Sequence, residues 1–191
     1  TPERTLEQLT PIVMAAGDEA KKVGLPLIVH ATELETARIA VQAGASLLVH
    51  SVENAEVDDA FVAAAKAQGT IYCPTLTVRD GYAQLYAAKV GDEVQRQLAS
   101  VHPSIADRVR ATEQVDEKQR GAPRALEAMN KRFALQRETM AKNLVRLHAA
   151  GVPIAMGTDA GNPLTLHGPS VFVEMEAMQA AGMKATDVLV A

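Results

Sequence analysis

Short apolar runs along the chain alternate with longer segments whose apolar residues recur every three or four positions. Such amphipathic spacing over 5–23 predicts a helix that begins at a Thr5 cap and ends at Gly24. Four apolar runs have the length and composition of buried parallel strands: 26–30 (PLIVH), 46–50 (SLLVH), 70–73 (TIYC) and 152–156 (VPIAM). Strands joined by helices in this way predict an α/β fold with right-handed crossovers.

Further helical patterns follow these runs. One is expected over 33–43, and another from about Asn54 to Gln68. Near the C-terminus, Pro169 or Ser170 opens a helix that ends at Gly182, and residues 185–191 have the pattern of one more helix. The apolar side of the helix before Gly182 is expected to carry Phe172, Met175, Met178 and Ala181.

A long insertion, about 75–150, separates the third and fourth predicted strands. A short helix is expected over 82–90. The charged stretch 101–120 has little apolar periodicity, so we expect a solvated, mobile excursion there. Apolar residues from Leu126 to Leu147 recur at helical spacing and predict a long amphipathic helix packed on the sheet. We therefore expect one domain, 1–191, with a mostly helical insertion.

Two arrangements fit four parallel βα units: an open doubly wound sheet, or part of a closed (β/α)8 barrel. A whole barrel has eight strands and typically about 250 residues. Four strands would therefore form half of one barrel.

Composition narrows the function classes. The 191 residues carry a net charge of -4 and include three Tyr, three Phe and no Trp, which argues against a nucleic-acid surface. The single cysteine, Cys73, excludes an intrachain disulfide and is expected to be a buried filler. The sequence shows neither an apolar run long enough for a bilayer nor a signal-peptide pattern, so a soluble chain of undetermined compartment is expected.

Three residues suited to metal chemistry follow predicted strands. His30, His50 and Asp159 each lie at or just past the C-terminal end of an apolar run, and these ends meet at one mouth in a barrel. Imidazoles with a carboxylate are typical ligands of zinc or a related divalent ion. A single histidine in a strand is more often a core residue, and Asp159 alone could cap a turn. The equivalent positions of these three residues at strand ends favour a metal site over these separate roles.

Other polar residues carry weaker signals. His167, in the loop after Asp159, could overhang the mouth, or could make a loop hydrogen bond. His102 is expected at the surface, and His148 near a helix C-terminus, where a cation is favoured. Packing is the stronger expectation for three residues that could also reach a substrate: Tyr72, Arg79 and Tyr82.

Four runs stand out in the sequence: PLIVHA, GASLLVHSVEN, YCPTL and GVPIAMGTDAG. HGPS and a predicted helix that contains Glu174 follow the last of them. In these motifs the chain resembles the amidohydrolase superfamily, close to its imidazolonepropionase-like and dipeptidase-like branch. This resemblance implies that His30 and His50 bind metal, and that Asp159 binds metal and acts as the general base. It further implies one or two divalent ions, zinc above all, and hydrolysis of a C-N bond in a small amide, peptide-like or cyclic amide substrate by activated water.

The departures from this family matter as much. The family also has a His-x-His pair on its first strand and, in many members, a carboxylated lysine on its fourth, and this sequence contains no His-x-His. The resemblance thus implies the C-terminal half of a barrel, strands five to eight. The alternative is a half-barrel that lacks activity of its own or assembles with another chain. An open half-barrel would expose edge strands and apolar side chains, which favours a homo-oligomer.

Overall fold

The computed structural model describes residues 5–116 and 120–191, and these ranges form an α/β fold with a small parallel sheet. The strands are β1 (Leu27–His30), β2 (Ala45–Val49) and β3 (Ile71–Cys73). The helices are α1 (Leu6–Val23), α2 (Leu34–Gln42), α3 (Asp59–Gln68), α4 (Val78–Ala87), α5 (Asp92–Gln97), α6 (Pro103–Ala111), α7 (Pro123–Ala149), α8 (Ser170–Ala181) and α9 (Ala185–Val190), with single 3₁₀ turns at Leu98–Ser100 and Thr112–Gln114.

Helix α1 begins and ends at the predicted residues. The Thr5 hydroxyl accepts a hydrogen bond from the Gln8 N-H, and the Gln8 side chain accepts one from the Thr5 N-H, which is a reciprocal capping box. Gly24 ends the helix with φ 70°, a left-handed conformation that glycine adopts without strain. Local sequence signals therefore determine both ends of α1.

The sheet has the order β1-β2-β3, and both strand pairs are parallel. The predicted fourth strand is reduced to one parallel bridge between Ile154 and Tyr72 beside β3. Pro153 has no N-H to donate, and the Met156 N-H bonds the Ala191 carbonyl instead of a strand neighbour. The segment lies where a fourth strand would lie, but its ladder stops after this bridge.

Helix α3 begins later than predicted. Asp58 is its N-cap, because its carboxylate accepts a hydrogen bond from the Phe61 N-H at 2.9 Å. The Asn54 side chain instead accepts a hydrogen bond from the Leu34 N-H at 3.0 Å, at the start of α2. The segment 50–58 therefore runs as a loop between β2 and α3.

The main core lies between the sheet and helices α2, α3, α7 and α8. Helix α7 has the predicted amphipathic character, and its Leu144 and Leu147 are fully buried. The predicted face of α8 is wrong at one position: Phe172 is 69% exposed, whereas Met178 is buried together with the charged Glu174. The apolar spacing of α8 therefore predicted part of its buried face incorrectly, because the carboxylate of Glu174 occupies part of that face.

The charged part of the insertion is folded where the structure describes it, contrary to the solvated excursion that we expected. Pro103 opens α6, and the His102 ring accepts a hydrogen bond from the Ser104 N-H at 3.3 Å. A second apolar cluster forms around it from Val90, Val94, Leu98, Ala106, Val109 and Leu166. Residues 117–119 of the predicted excursion lie outside the described residues.

Within the described ranges, none of the helices combines the length and the apolar character needed to cross a membrane.

Candidate active site

The C-terminal ends of the strands open into a cavity of about 160 Å³. His30 is the last residue of β1, His50 follows β2 directly, and Asp159 lies in the loop beyond the bridge at Ile154. The side chain of His50 is 16% exposed and that of Asp159 is 38% exposed. All three residues that the sequence singled out line this cavity.

The three side chains approach one another without direct hydrogen bonds. The rings of His30 and His50 meet edge to face, with centroids 4.5 Å apart and planes at 72°. His50 Nε2 lies 3.9 Å from Asp159 Oδ2. Among the described residues, no group of three His, Cys, Asp or Glu side chains is arranged tightly enough to hold a metal ion. Two imidazoles and a carboxylate are donor types that divalent cations use, but as arranged here these three side chains do not form a complete ligand set.

Three non-glycine residues at this cavity have left-handed backbones. These are His50 (φ 75°), Thr75 (φ 46°) and Asp159 (φ 54°). Each such conformation costs roughly 1 to 3 kcal/mol, and strain of this kind is concentrated at functional sites. The surrounding structure must therefore hold these residues in place.

Hydrogen bonds to the last residue of β3 and to the loop after it hold His50. Its N-H donates to the Cys73 carbonyl at 2.9 Å, and its Nδ1 lies 2.8 Å from Thr75 Oγ1. With Nδ1 engaged by Thr75, Nε2 is the ring nitrogen that lies near Asp159.

The environment favours the neutral form of His50. Burial lowers its pKa from the ordinary value of 6.5, the nearby His30 lowers it further, and Asp159 opposes the change. His50 is therefore a neutral imidazole near pH 7, which is the form that binds metal ions.

Arg79 and Tyr82, from α4, line the same cavity. Arg79 donates to both oxygens of Glu53, at 2.7 and 3.2 Å, and the Tyr82 hydroxyl lies 2.5 Å from Asn162 Oδ1. Both side chains thus have fixed positions on the wall, where a substrate could contact them.

Tyr72 is placed elsewhere, in the core. It is 1% exposed, its hydroxyl accepts a hydrogen bond from the Val52 N-H at 2.9 Å, and burial raises its pKa to about 12. Cys73 is buried beside Gly157, as the filler role requires, and burial raises the pKa of its thiol to about 11.

The remaining histidines do not line the cavity. His167 borders a separate cavity of about 550 Å³, together with Arg96 and Phe172. His102 caps α6. His148, in the last turn of α7, lies 3.2 Å from Asp187 Oδ2 on α9, so its role is structural.

Sequence reasoning missed the polar residues that support the site. Glu53, Thr75 and Asn162 line the cavity but do not end strands. Glu174 is fully buried behind the loop that carries Thr75. A carboxylate among the apolar residues of α8 was a signal in the sequence, although its partners could not be inferred from spacing.

Comparisons with known proteins identify the fold. No family model matches the chain, and neither does any of the curated proteins. Among the solved structures that resemble it are three that each align over 94% of this chain with a TM-score of 0.58. They are a Xaa-Pro dipeptidase with bound methionine in the active site (19% identity, 34% of its length), an A. niger ochratoxinase (19%, 31%), and a candidate prolidase from Bifidobacterium longum (20%, 37%). The chain therefore shares the fold of one segment of these proteins, and it spans about one third of their length.

Proposed function

We propose that this chain is part of a metal-dependent hydrolase of the amidohydrolase superfamily that cleaves amide-type C-N bonds. The observation that carries the proposal is the convergence of His30, His50 and Asp159 on one cavity at the strand ends. The names of the structural neighbours, a dipeptidase, a candidate prolidase and an ochratoxinase, support this reaction class. In this proposal the chain supplies strands five to eight of a (β/α)8 barrel, and the segment around Ile154 takes the place of the last strand.

We propose that His30, His50 and Asp159 hold a divalent cation, with zinc favoured by two imidazoles and a carboxylate. When bound, such an ion polarises a substrate carbonyl and lowers the pKa of water toward neutrality. His50 presents Nε2 for this role, since its Nδ1 is engaged by Thr75. One ion or two would fit the proposal, with further ligands supplied from outside these residues.

Asp159 is the proposed general base. Its partly exposed carboxylate faces the cavity, where it can accept a proton from the attacking water. As the water oxygen bonds to the carbonyl carbon and the C-N bond breaks, Asp159 passes that proton to the leaving nitrogen. The carboxylate is thereby regenerated at the end of the reaction.

The cavity and its walls favour a small substrate, either a peptide-like or a cyclic amide. A volume of about 160 Å³ suits a small molecule, and Arg79 and Tyr82 offer polar contacts on one wall. The net charge of -4 is in keeping with a substrate other than a nucleic acid.

Hydrolysis of a panel of Xaa-Pro dipeptides and N-acyl amino acids by the complete barrel that contains this chain, with added Zn²⁺, tests the proposal. Asp159→Asn keeps the size of the side chain but removes the base, so the rate should fall by about 10²-fold or more. Asp18→Asn, at an exposed position on α1, is the matched control and should retain the native rate. Normal hydrolysis by Asp159→Asn would show that the proposed mechanism is wrong.

A second candidate function is an inactive half-barrel or an assembly module, including a homo-oligomer. Apolar side chains on the sheet favour it, since Ile28 is 58% exposed and Ile71 is 37% exposed. Strand β1 also lies at the edge of the described sheet, where its backbone can pair with another chain. A defined dimer by light scattering, together with absence of zinc binding and hydrolysis, would favour this function.

A further inference from the structure

We propose that Glu174 is a positioning residue that orients the His50 ring through the loop 74–77, so that Nε2 faces the cavity. The link to metal binding rests on the proposed function, whereas the orientation of His50 does not. Glu174 lies on α8 and does not line the cavity, so it would act through Thr75.

Glu174 is fully buried and holds the loop with both carboxylate oxygens. Oε1 accepts a hydrogen bond from the Leu76 N-H at 2.6 Å. Oε2 accepts two from Thr77, one from its N-H at 3.0 Å and one from its hydroxyl at 2.9 Å. A buried carboxylate is costly unless its oxygens are hydrogen-bonded, so the loop and the carboxylate depend on each other.

The other side of this loop holds His50. The Cys73 and Pro74 carbonyls accept hydrogen bonds from the N-H groups of His50 and Ser51, at 2.9 and 3.0 Å. Thr75, with its left-handed backbone, directs its hydroxyl to His50 Nδ1 at 2.8 Å. A shift of the loop away from Glu174 would therefore move the hydroxyl that contacts the His50 ring.

Glu174 also lies where α4 begins. Leu76 and Thr77 immediately precede α4, and a carboxylate near a helix N-terminus is favoured by the helix dipole. Helix α4 carries Arg79 and Tyr82 to the cavity wall. One buried carboxylate thus supports two parts of the cavity from behind.

The Thr75 hydroxyl can accept a hydrogen bond from Nδ1-H or donate one to Nδ1, so the contact at 2.8 Å fits both neutral tautomers of His50. If Nδ1 carries the proton and donates it to Thr75 Oγ1, the lone pair of Nε2 faces the cavity and can bind a metal ion. In this proposal the Nδ1-H form is the native one. Loss of the fixed hydroxyl would remove the acceptor of the Nδ1 proton and would favour the other tautomer, in which Nε2 is protonated and cannot be a ligand.

The test is ¹⁵N NMR of the imidazole nitrogens in the metal-free protein at pH 8, with His50 assigned by comparison with His50→Gln. Glu174→Gln keeps the shape but turns one acceptor into a donor that faces the loop N-H groups. Glu176→Gln, at an exposed position on the same helix, is the matched control. Thr75→Val removes only the hydroxyl at the end of the pathway, and Thr75→Ser restores it.

The native protein, Glu176→Gln and Thr75→Ser should show His50 protonated at Nδ1. Glu174→Gln and Thr75→Val should lose that preference and show a mixture of tautomers or the Nε2-H form. A native His50 signal in folded Glu174→Gln would overturn the proposal. If Glu174→Gln does not fold, Thr77→Val removes one of the three bonds to the carboxylate, and an unchanged His50 signal in that variant would overturn it equally.

Zn²⁺ titration separates this inference from the proposed function. Loss of an outer hydrogen-bond partner of a metal ligand typically weakens affinity about 10- to 100-fold, and we expect a loss of this size for Glu174→Gln but not for Glu176→Gln. If the tautomer changes while the complete barrel that contains this chain does not bind Zn²⁺, the positioning role stands and the proposed function fails. If that barrel binds Zn²⁺ and the tautomer does not change, the positioning role fails alone.

Discussion

Replacement of Asn143 by leucine should destabilise the fold more than any exposed change on the same helix. Asn143 lies on α7 and is 1% exposed. Its Oδ1 accepts a hydrogen bond from the Val57 N-H at 2.8 Å, and its Nδ2 donates to the Val52 and Ala55 carbonyls, each at 2.9 Å. These hydrogen bonds hold the loop between β2 and α3 against α7, and Glu53, which lines the cavity, belongs to this loop.

The expected loss in the free energy of unfolding follows from the backbone groups that lose their hydrogen-bond partners. Leucine would leave the Val57 N-H and the Val52 carbonyl without partners, and both residues are fully buried. Each stranded group costs about 1 to 3 kcal/mol, whereas water can reach the carbonyl of Ala55, which is only partly buried. Leucine is the better helix former by about 0.5 kcal/mol. The two groups together cost about 2 to 6 kcal/mol, so the free energy of unfolding should fall by about 1.5 to 5.5 kcal/mol once the helix propensity is subtracted.

Urea denaturation followed by circular dichroism at 222 nm measures this difference, and it suits a chain that contains no Trp. Asn130→Leu, at an exposed position on α7, makes the same replacement without stranding a buried group and should be neutral or slightly stabilising. A free energy of unfolding for Asn143→Leu within 1 kcal/mol of Asn130→Leu would refute the reasoning, since the stranded groups would then cost less than about 1 kcal/mol in total.

Three further predictions concern the site and its supports. Gly81→Ala should lower the free energy of unfolding by about 2 kcal/mol or more in urea denaturation, because the new Cβ would lie 1.8 Å from the Pro163 carbonyl oxygen. Burial raises the pKa of Tyr72 from 10 to about 12. The unfolded chain releases this proton first, so stability should fall by up to about 3 kcal/mol between pH 10 and 12, and Tyr72→Phe should lack that part of the slope. Burial also raises the pKa of Cys73 from 9 to about 11, so thiol modification at pH 8 should be about 100-fold slower in the folded protein than in urea.

Each of these predictions has its own control. Gly91→Ala meets only the flexible side chain of Gln84, at 3.2 Å, so it should cost less than Gly81→Ala, and equal losses would contradict the packing argument. An identical alkaline slope for Tyr72→Phe and the native protein would show that Tyr72 does not keep its proton. Equal thiol reactivity of Cys73 in the folded and unfolded chain would show that its thiol is not protected.

Features that depend on neighbouring residues could be predicted from the sequence. The cap and the end of α1 were correct because Thr5 and Gly24 act within one turn of the helix. The long helix α7 was predicted because its apolar residues repeat over many turns. His30, His50 and Asp159 were placed on one cavity because each follows its own apolar run, although their role as metal ligands stays a proposal.

Features that depend on distant partners could not be predicted. Helix α6 looked solvated because its few apolar residues, such as Val109, gain a core only from residues far along the chain, such as Leu166. The fourth strand was predicted from an apolar run, but only one bridge forms. The run does not show that the N-H of Met156 donates its hydrogen bond to the Ala191 carbonyl. The bonds of Glu174 to the loop span 97 and 98 residues, so they follow from the fold and not from a local pattern.

Zn²⁺ binding by isothermal titration tests the central claim most directly. The complete barrel that contains this chain should bind Zn²⁺ saturably, and His30→Ala, His50→Ala and Asp159→Asn should each weaken binding at least tenfold. His102→Ala, outside the cavity, is the control and should bind like the unsubstituted barrel. Native-like Zn²⁺ affinity in the three cavity variants, or an equal loss in the His102 control, would contradict the assignment of this cavity as the metal site.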